Sequence, residues 1–270
     1  MSSQSASPAD LLSSSATGAA PTHDLVSRIA GTDDQSRVRV QALLAEIPAG
    51  AGASYWLGFG LDVLERLSTE IKICLEYGER PEIRVLSQHL SRLQAILHDV
   101  SYAMKGGLFK RSVRSVWNAH VGELRQLEEQ LKLGAGHMAL IADDFQRMQE
   151  RGLEVQVDLT LHARVLEACL ETSTPTASHG VLSRMTSFTA AQDLAQRHLL
   201  TLATEISQVQ ELASLVMDSV LVKLTSMYAL LGSFPAKPTE TERFIATEKI
   251  SELSELLPRA PVGWTFRKSA

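Results

Sequence analysis

From Tyr55 to Leu257 the apolar residues recur at alternating steps of three and four, a spacing that keeps them on one face of a helix. The first run, Tyr55 to Tyr77, carries Leu57, Leu61, Leu64, Ser68, Ile71 and Leu75, with Val63, Leu67 and Cys74 widening the stripe. Gly78 suits its end, and Pro81 suits the first turn of the next helix. That next run, Pro81 to Met104, places Ile83, Leu86, Leu90, Leu93, Leu97, Val100 and Met104 in strict alternation. Only a heptad keeps such a stripe facing a partner over several repeats, so this is a coiled-coil seam, closed by Gly106-Gly107.

The third run is the longest, about Leu108 to Leu170. Leu124, Leu131, Met138, Phe145, Gly152, Leu159 and Leu166 mark one heptad position, and Leu127, Gly134, Ile141, Met148, Val155, His162 and Cys169 the other. Gly134, Gly136 and Gly152 are its expected bends. "ETSTPTASHG", Glu171 to Gly180, then reads as a polar loop. A fourth helix, about Leu182 to Leu231, steps through Leu199, Leu202, Ile206, Val209, Ala213, Val216, Val220, Lys223, Met227 and Leu230. A fifth, about Thr239 to Leu257, offers Phe244, Ile245, Ile250, Leu253 and Leu256.

Before the main body, Thr32-Asp33-Asp34 starts a short helix with Val40, Leu43, Leu44 and Ile47 on one face, ended by Pro48 and "AGAGAS". The Ser- and Ala-rich residues before it bury little. The expected organisation is a disordered tail over 1–31, a short helix and linker over 32–54, an elongated helical domain over 55–257 and a C-terminal tail over 258–270. The expected fold is all-α: an elongated bundle of long antiparallel coiled-coil-like helices, whose seams close either within one chain or between chains.

Composition agrees with helices. Among 270 residues, 44% are hydrophobic but only 5% aromatic, with 16 glycines and nine prolines, too few turn formers and strand formers for a sheet protein. A net charge of −5 supplies no general attraction to nucleic acid. No stretch reads as a transmembrane segment or a Sec-type leader, and Cys74 and Cys169, about a hundred residues apart, fit a reducing cytoplasm.

Candidate chemistry is sparse. Gly58-Phe59-Gly60 lacks both the P-loop and the dinucleotide-turn pattern and follows no strand, so a turn with Trp56 and Phe59 packed on the helix start is expected. The eight histidines show no metal-ligand spacing, and His162 falls on the seam, where a buried polar group fixes register. The adjacent pairs Glu128-Glu129 and Asp143-Asp144 splay across helix faces. No nucleophile context is present, so neither an enzyme nor a cofactor is expected. One basic cluster, Lys105, Lys110, Arg111 and Arg114, gathers near glycines at a helix start and suits contact with an anion or acidic partner.

Three segments resemble the TelA-type toxic-anion (tellurite) resistance proteins. "GFGLDVLERLSTEIKICLEYGERPEIRVLSQHLSRLQAILHDV" resembles that family's early block, with a Phe-Gly, an amphipathic helix and a leucine-seamed helix. "FKRSVRSVWNAHVGELRQLEEQLKLGAGHMALIADDFQRMQERGLEVQVDLTLHARVLEACL" is similar to its long central helix, and "AAQDLAQRHLLTLATEISQVQELASLVMDSVLVKLTSMYALL" to its Gln-rich later helix. The likeness runs from Leu57 to Leu231. The chain has "EISQVQE" where the family carries a proline in a Q-x-x-P-Q-like step, and "GSFPAKP" where a Trp-Lys segment is expected, as a divergent or shortened member would. The resemblance implies a cytoplasmic helical protein associated with resistance to tellurite or related anions, with a protein partner, possibly itself, on its coiled-coil faces. The alternatives are a secreted coiled-coil translocator or effector addressed by the Ser/Ala-rich tail, a helical scaffold of another pathway, and a helical enzyme with an unrecognised cleft.

Overall fold

A computed structural model of the 270-residue chain describes residues 26, 29, 33–77, 80–105, 112–172, 175–235 and 237–257. The expected tails over 1–31 and 258–270, apart from Val26 and Ile29, lie outside the described residues, as do Gly78, Gly106 and Gly107. Among the described residues every regular element is a helix: α1 Asp34–Glu46, α2 Ala53–Gly58, α3 Leu61–Tyr77, α4 Pro81–Met104, α5 Val113–Thr172, α6 Pro175–Ser214, a π-helical turn Leu215–Val220, α7 Leu221–Gly232 and α8 Glu240–Leu256. The chain is all-α, as its periodicity predicts.

Several ends are fixed by local chemistry. Asp33 caps α1 by accepting the Ser36 N–H at 2.7 Å. Pro81 opens α4, where its missing N–H costs nothing. Thr239 and Glu242 form a reciprocal capping box at the start of α8.

Contacts group the described chain into two compact units. The first draws on Met1–Thr69 and Gly152–Arg197, the second on Glu70–Arg151 and His198–Ala270. In the first, rings of His162 on α5 and Phe188 on α6 stack at 5.6 Å, and the Gln192 side-chain amide donates to the Thr160 hydroxyl, so residue numbers fall on one helix as they rise on the other. That pairing is antiparallel. In the second, Arg92 on α4 meets Glu123 on α5, and Trp117 on α5 meets Tyr228 on α7 at 5.6 Å. The core there joins the seams of α4, α5, α7 and α8.

The α4 seam is buried at all seven expected positions. So are most of the α5 positions. Gly134, expected to bend α5, instead admits its neighbour: a Cβ there would lie 2.8 Å from Leu86 Cδ1 of α4, and α5 continues uninterrupted through it.

Four expectations are corrected. First, Tyr55 to Tyr77 is two helices, because Gly60 takes a φ of +63° and turns the chain between α2 and α3. The register restarts there, so Val63, Leu67 and Cys74 are buried while Leu57, Leu61 and Leu75 face outward. Second, the Glu171–Gly180 loop is largely helical, since α5 runs to Thr172 and α6 opens at Pro175, a residue suited to a first helical turn. Third, the π turn adds a residue to the repeat, so burial runs through Val220, Leu224, Met227 and Leu231, and Lys223 leaves the seam to pair with Glu252 at 2.8 Å. Fourth, α8 buries Ala246, Ile250, Leu253 and its successor Leu257, leaving Phe244 and Ile245 exposed.

The seam is expected to dominate stability. Leu93→Ala, at a fully buried position, should cost about 2–5 kcal/mol in denaturant unfolding, whereas Leu133→Ala, at an exposed one, should stay within about 0.5 kcal/mol.

Candidate functional site: polar residues in the helix seams

The buried residues of α6 and the π turn keep Leu202, Ile206, Val209 and Val216 of the expected stripe and extend it back through Val181, Phe188 and Ala195. Arg184, Ala191, His198 and Leu212 are buried on the adjoining heptad position, with Glu205 half-buried there. Three of the second set are ionisable. A heptad ordinarily puts leucine or another aliphatic side chain there, so these three are the residues whose burial has to be accounted for.

In the first unit, Arg184 is 6% exposed. Its Nε donates to the Phe59 carbonyl oxygen at 2.5 Å, its guanidinium lies 5.4 Å from the Phe188 ring centre, and its Nη2 is buried without a partner. Burial pushes its pKa below the ordinary arginine value, with the Asp62 charge acting the other way. His162 lies between Phe188 and Phe59, and its Nδ1 is 2.7 Å from the Asp158 carbonyl oxygen. Trp56 packs beside Phe59 with its indole Nε1 buried and unbonded. Gly60 is indispensable here: a Cβ would lie 2.7 Å from both His162 and Phe188. One helical turn before His162, the Asp158 carboxylate accepts from Arg39 and Arg66, each at 2.7 Å.

In the second unit, α3 presents Glu70, Cys74 and Tyr77 on its inward stripe. Glu70 takes Arg151 Nε of α5 between both carboxylate oxygens, at 3.0 and 3.1 Å. Tyr77 donates to the Asp144 carboxylate. Burial, with the charges of Glu205 and Glu70, pushes the Cys74 thiol up to about 11. That thiol is therefore protonated and unreactive at neutral pH. His198 is 7% exposed with Nε2 unbonded; burial lowers its pKa, against the pull of Glu70. Burial raises the pKa of Glu205.

Chemically, burial disfavours the charged forms of Arg184, His198, Glu205 and Cys74, while Asp158 and Glu70 keep arginine partners. Among the described residues no three His, Cys, Asp or Glu side chains are placed to hold a metal.

The basic cluster is placed only in part. Lys105 caps the end of α4 and is exposed, Arg114 is exposed in the first turn of α5, and Lys110 and Arg111 lie outside the described residues. His162 is buried in the α5 seam, where its heptad position puts it. Apolar periodicity does not single out Arg184, His198 and Glu205; extending the Leu202, Val209, Val216 repeat back to Val181 is the signal that places them beside the buried face.

By length and composition the helical run Ala177–Gly232 is apolar enough to cross a membrane, with 33% of its most apolar window buried within the protein. A seam-bearing core helix meets the same criterion. No protein-family profile, curated protein or solved structure matches the chain.

His198 and Glu205 drive stability in opposite directions with pH. The lowered histidine pKa means that the unfolded chain binds the extra proton more readily, so stability is lost as pH falls through and below the unfolded value of 6.5. The raised carboxyl pKa means that the folded chain holds its proton longer, so its penalty is present at neutral pH and vanishes toward 4.5. Glu205→Gln should therefore steepen the loss of denaturant midpoint between pH 7 and 5, and His198→Gln should flatten it.

Proposed function

We propose that the protein is a non-enzymatic helical interaction protein of TelA-like type, acting in the cytoplasm in resistance to tellurite or related toxic anions through a protein partner. The observation that carries this is a pair of leucines on the outer side of α5. Leu133 and Leu140 lie one heptad apart in the second unit, 64% and 62% exposed, while the seam of the same helix is filled by Leu131, Met138 and Ile141. Paired apolar side chains in water at helical spacing suit a partner helix, which would cover them as a seam partner does. The Cys74 thiol is buried in a seam and held protonated, so it packs and is not poised as a nucleophile. Exposed Lys105 and Arg114 suit contact with an anion or with acidic side chains of that partner.

The test is genetic and structural together. Deleting the gene should lower tellurite tolerance, wild type should restore it, and Leu133→Glu/Leu140→Glu should fail to restore it while its circular dichroism and unfolding midpoint stay unchanged. Unaltered tolerance on deletion would defeat the anion-resistance assignment. Full complementation by the double variant would defeat the assignment of this helix face.

A further inference from the structure

We propose that residues 33–59 form a releasable strap, in which α1, the Pro48–Gly52 link and α2 cover the hairpin made by α5 from Gly152 and α6 up to Arg197, and in which release uncovers His162 and Arg184. The strap and this hairpin belong to the same compact unit. The inference concerns a different face from Leu133 and Leu140 and stands apart from the partner proposed for it.

The strap is held by little apolar surface. Across 33–59 only Val40, Trp56 and Phe59 are buried hydrophobic residues. Among the described residues Phe59 also packs its ring on His162, and the polar ties include Arg39 to Asp158 and the Phe59 carbonyl to Arg184. A segment with few buried apolar contacts opens at lower cost than the core.

Its docking is also imperfect. Closing the strap leaves two buried donors without acceptors, the Trp56 indole Nε1 and Arg184 Nη2. The buried guanidinium donates to a neutral carbonyl, and the charge of Asp62 offsets its burial only in part. Water satisfies both donors once the strap lifts, so hydration favours the open form.

The backbone supplies suitable pivots. Gly50, in the link, has φ +77°, and Gly60, just past the strap, has φ +63°; they are the positive-φ glycines among the described residues. Both sit where side chains are disfavoured and rotation is easy.

Gly180 shows how closely the strap fits. It lies in the first turns of α6, where alanine would make a better helix. Yet a Cβ at this position would lie 2.8 Å from the Ala53 carbonyl oxygen and 3.0 Å from its Cα, both strap backbone atoms. The glycine is explained by the strap, and Gly180→Ala sets the two against each other: it favours α6 and disfavours docking.

Hydrogen exchange of the full chain, read by mass spectrometry, tests this. In the wild type the amides of α1 and α2 should exchange together, and faster than those of α5 from Gly152 to Thr172. Gly180→Ala should accelerate α1 and α2 by about ten- to a hundredfold, the span expected of an overpacked contact, while α6 keeps or gains protection. Strap amides as protected as α5 in the wild type would overturn the proposal, as would a Gly180→Ala variant whose strap exchange is unchanged or whose α5 and α6 open along with it. Should that variant fail to fold, the wild-type comparison alone decides.

Discussion

A heptad stripe along α5 must be covered wherever it runs, and the other helices are arranged by that requirement. Each buried side chain of α5 is flanked at three or four residues by another, so no part of the stripe can be left to water without losing the transfer energy of large aliphatic groups. In the second unit α4 and α7 supply the cover, close enough that Gly134 has no room for a Cβ beside Leu86. In the first, the early part of α6 does so, with Val181 and Phe188 buried alongside Leu159 and Leu166. Antiparallel pairing suits a connection of two residues between α5 and α6 in the chain.

The polar residues within the seams lower stability and narrow the choice of register. A buried histidine or arginine displaces the aliphatic group that would gain most from the site, and an unbonded nitrogen such as His198 Nε2 adds a desolvation cost. Sliding α6 by one heptad would move Arg184 to the level of Ala191, and His198 to that of Glu205, so that each would lose its present surroundings. An all-aliphatic seam has no such penalty for slipping. Polar seam positions therefore distinguish registers that leucines alone would leave nearly equal in energy.

These same positions explain which parts of the fold the sequence disclosed. The α4 stripe is continuous, purely apolar and flanked by Arg80 and Pro81, and its bounds and all seven seam positions match the structure. Across α2 and α3 the alternation of Leu57, Leu61 and Leu64 continues through Gly60, yet the helix does not, because periodicity carries no mark of a positive φ. On α6 the expected Leu202, Ile206 and Val209 are buried, but Leu199 and Ala213 are only half-buried, and the buried face takes in Arg184 and His198 with Glu205 half-buried beside them. Hydropathy counts the leucine and discounts the arginine; the structure instead follows the geometry of Val181, Phe188, Ala195 and Leu202. The candidate site was hidden for that reason, since residues defined by being polar in apolar positions are removed by any reading that selects apolar residues first.

The two units also differ in how their elements are tied. The second unit is held by a broad aliphatic core reaching from Ile83 to Leu257, so its helices share many mutually buried side chains. In the first, buried side chains such as Leu159, Leu166, Val181 and Phe188 are joined by four arginine ties: Arg39 and Arg66 to Asp158, Arg164 to the Ile29 carbonyl and Arg184 to that of Phe59. Arginine bonds of this kind orient their partners but exchange readily with water, so each contributes far less than a buried leucine. Stability is then graded: helices joined by many buried aliphatic side chains open only with their core, while the 33–59 segment, with three buried hydrophobic residues, can open on its own. Such grading lets one helix serve at once as scaffold and as the seat of a movable contact, with the sequence deciding, position by position, between an aliphatic side chain and a guanidinium.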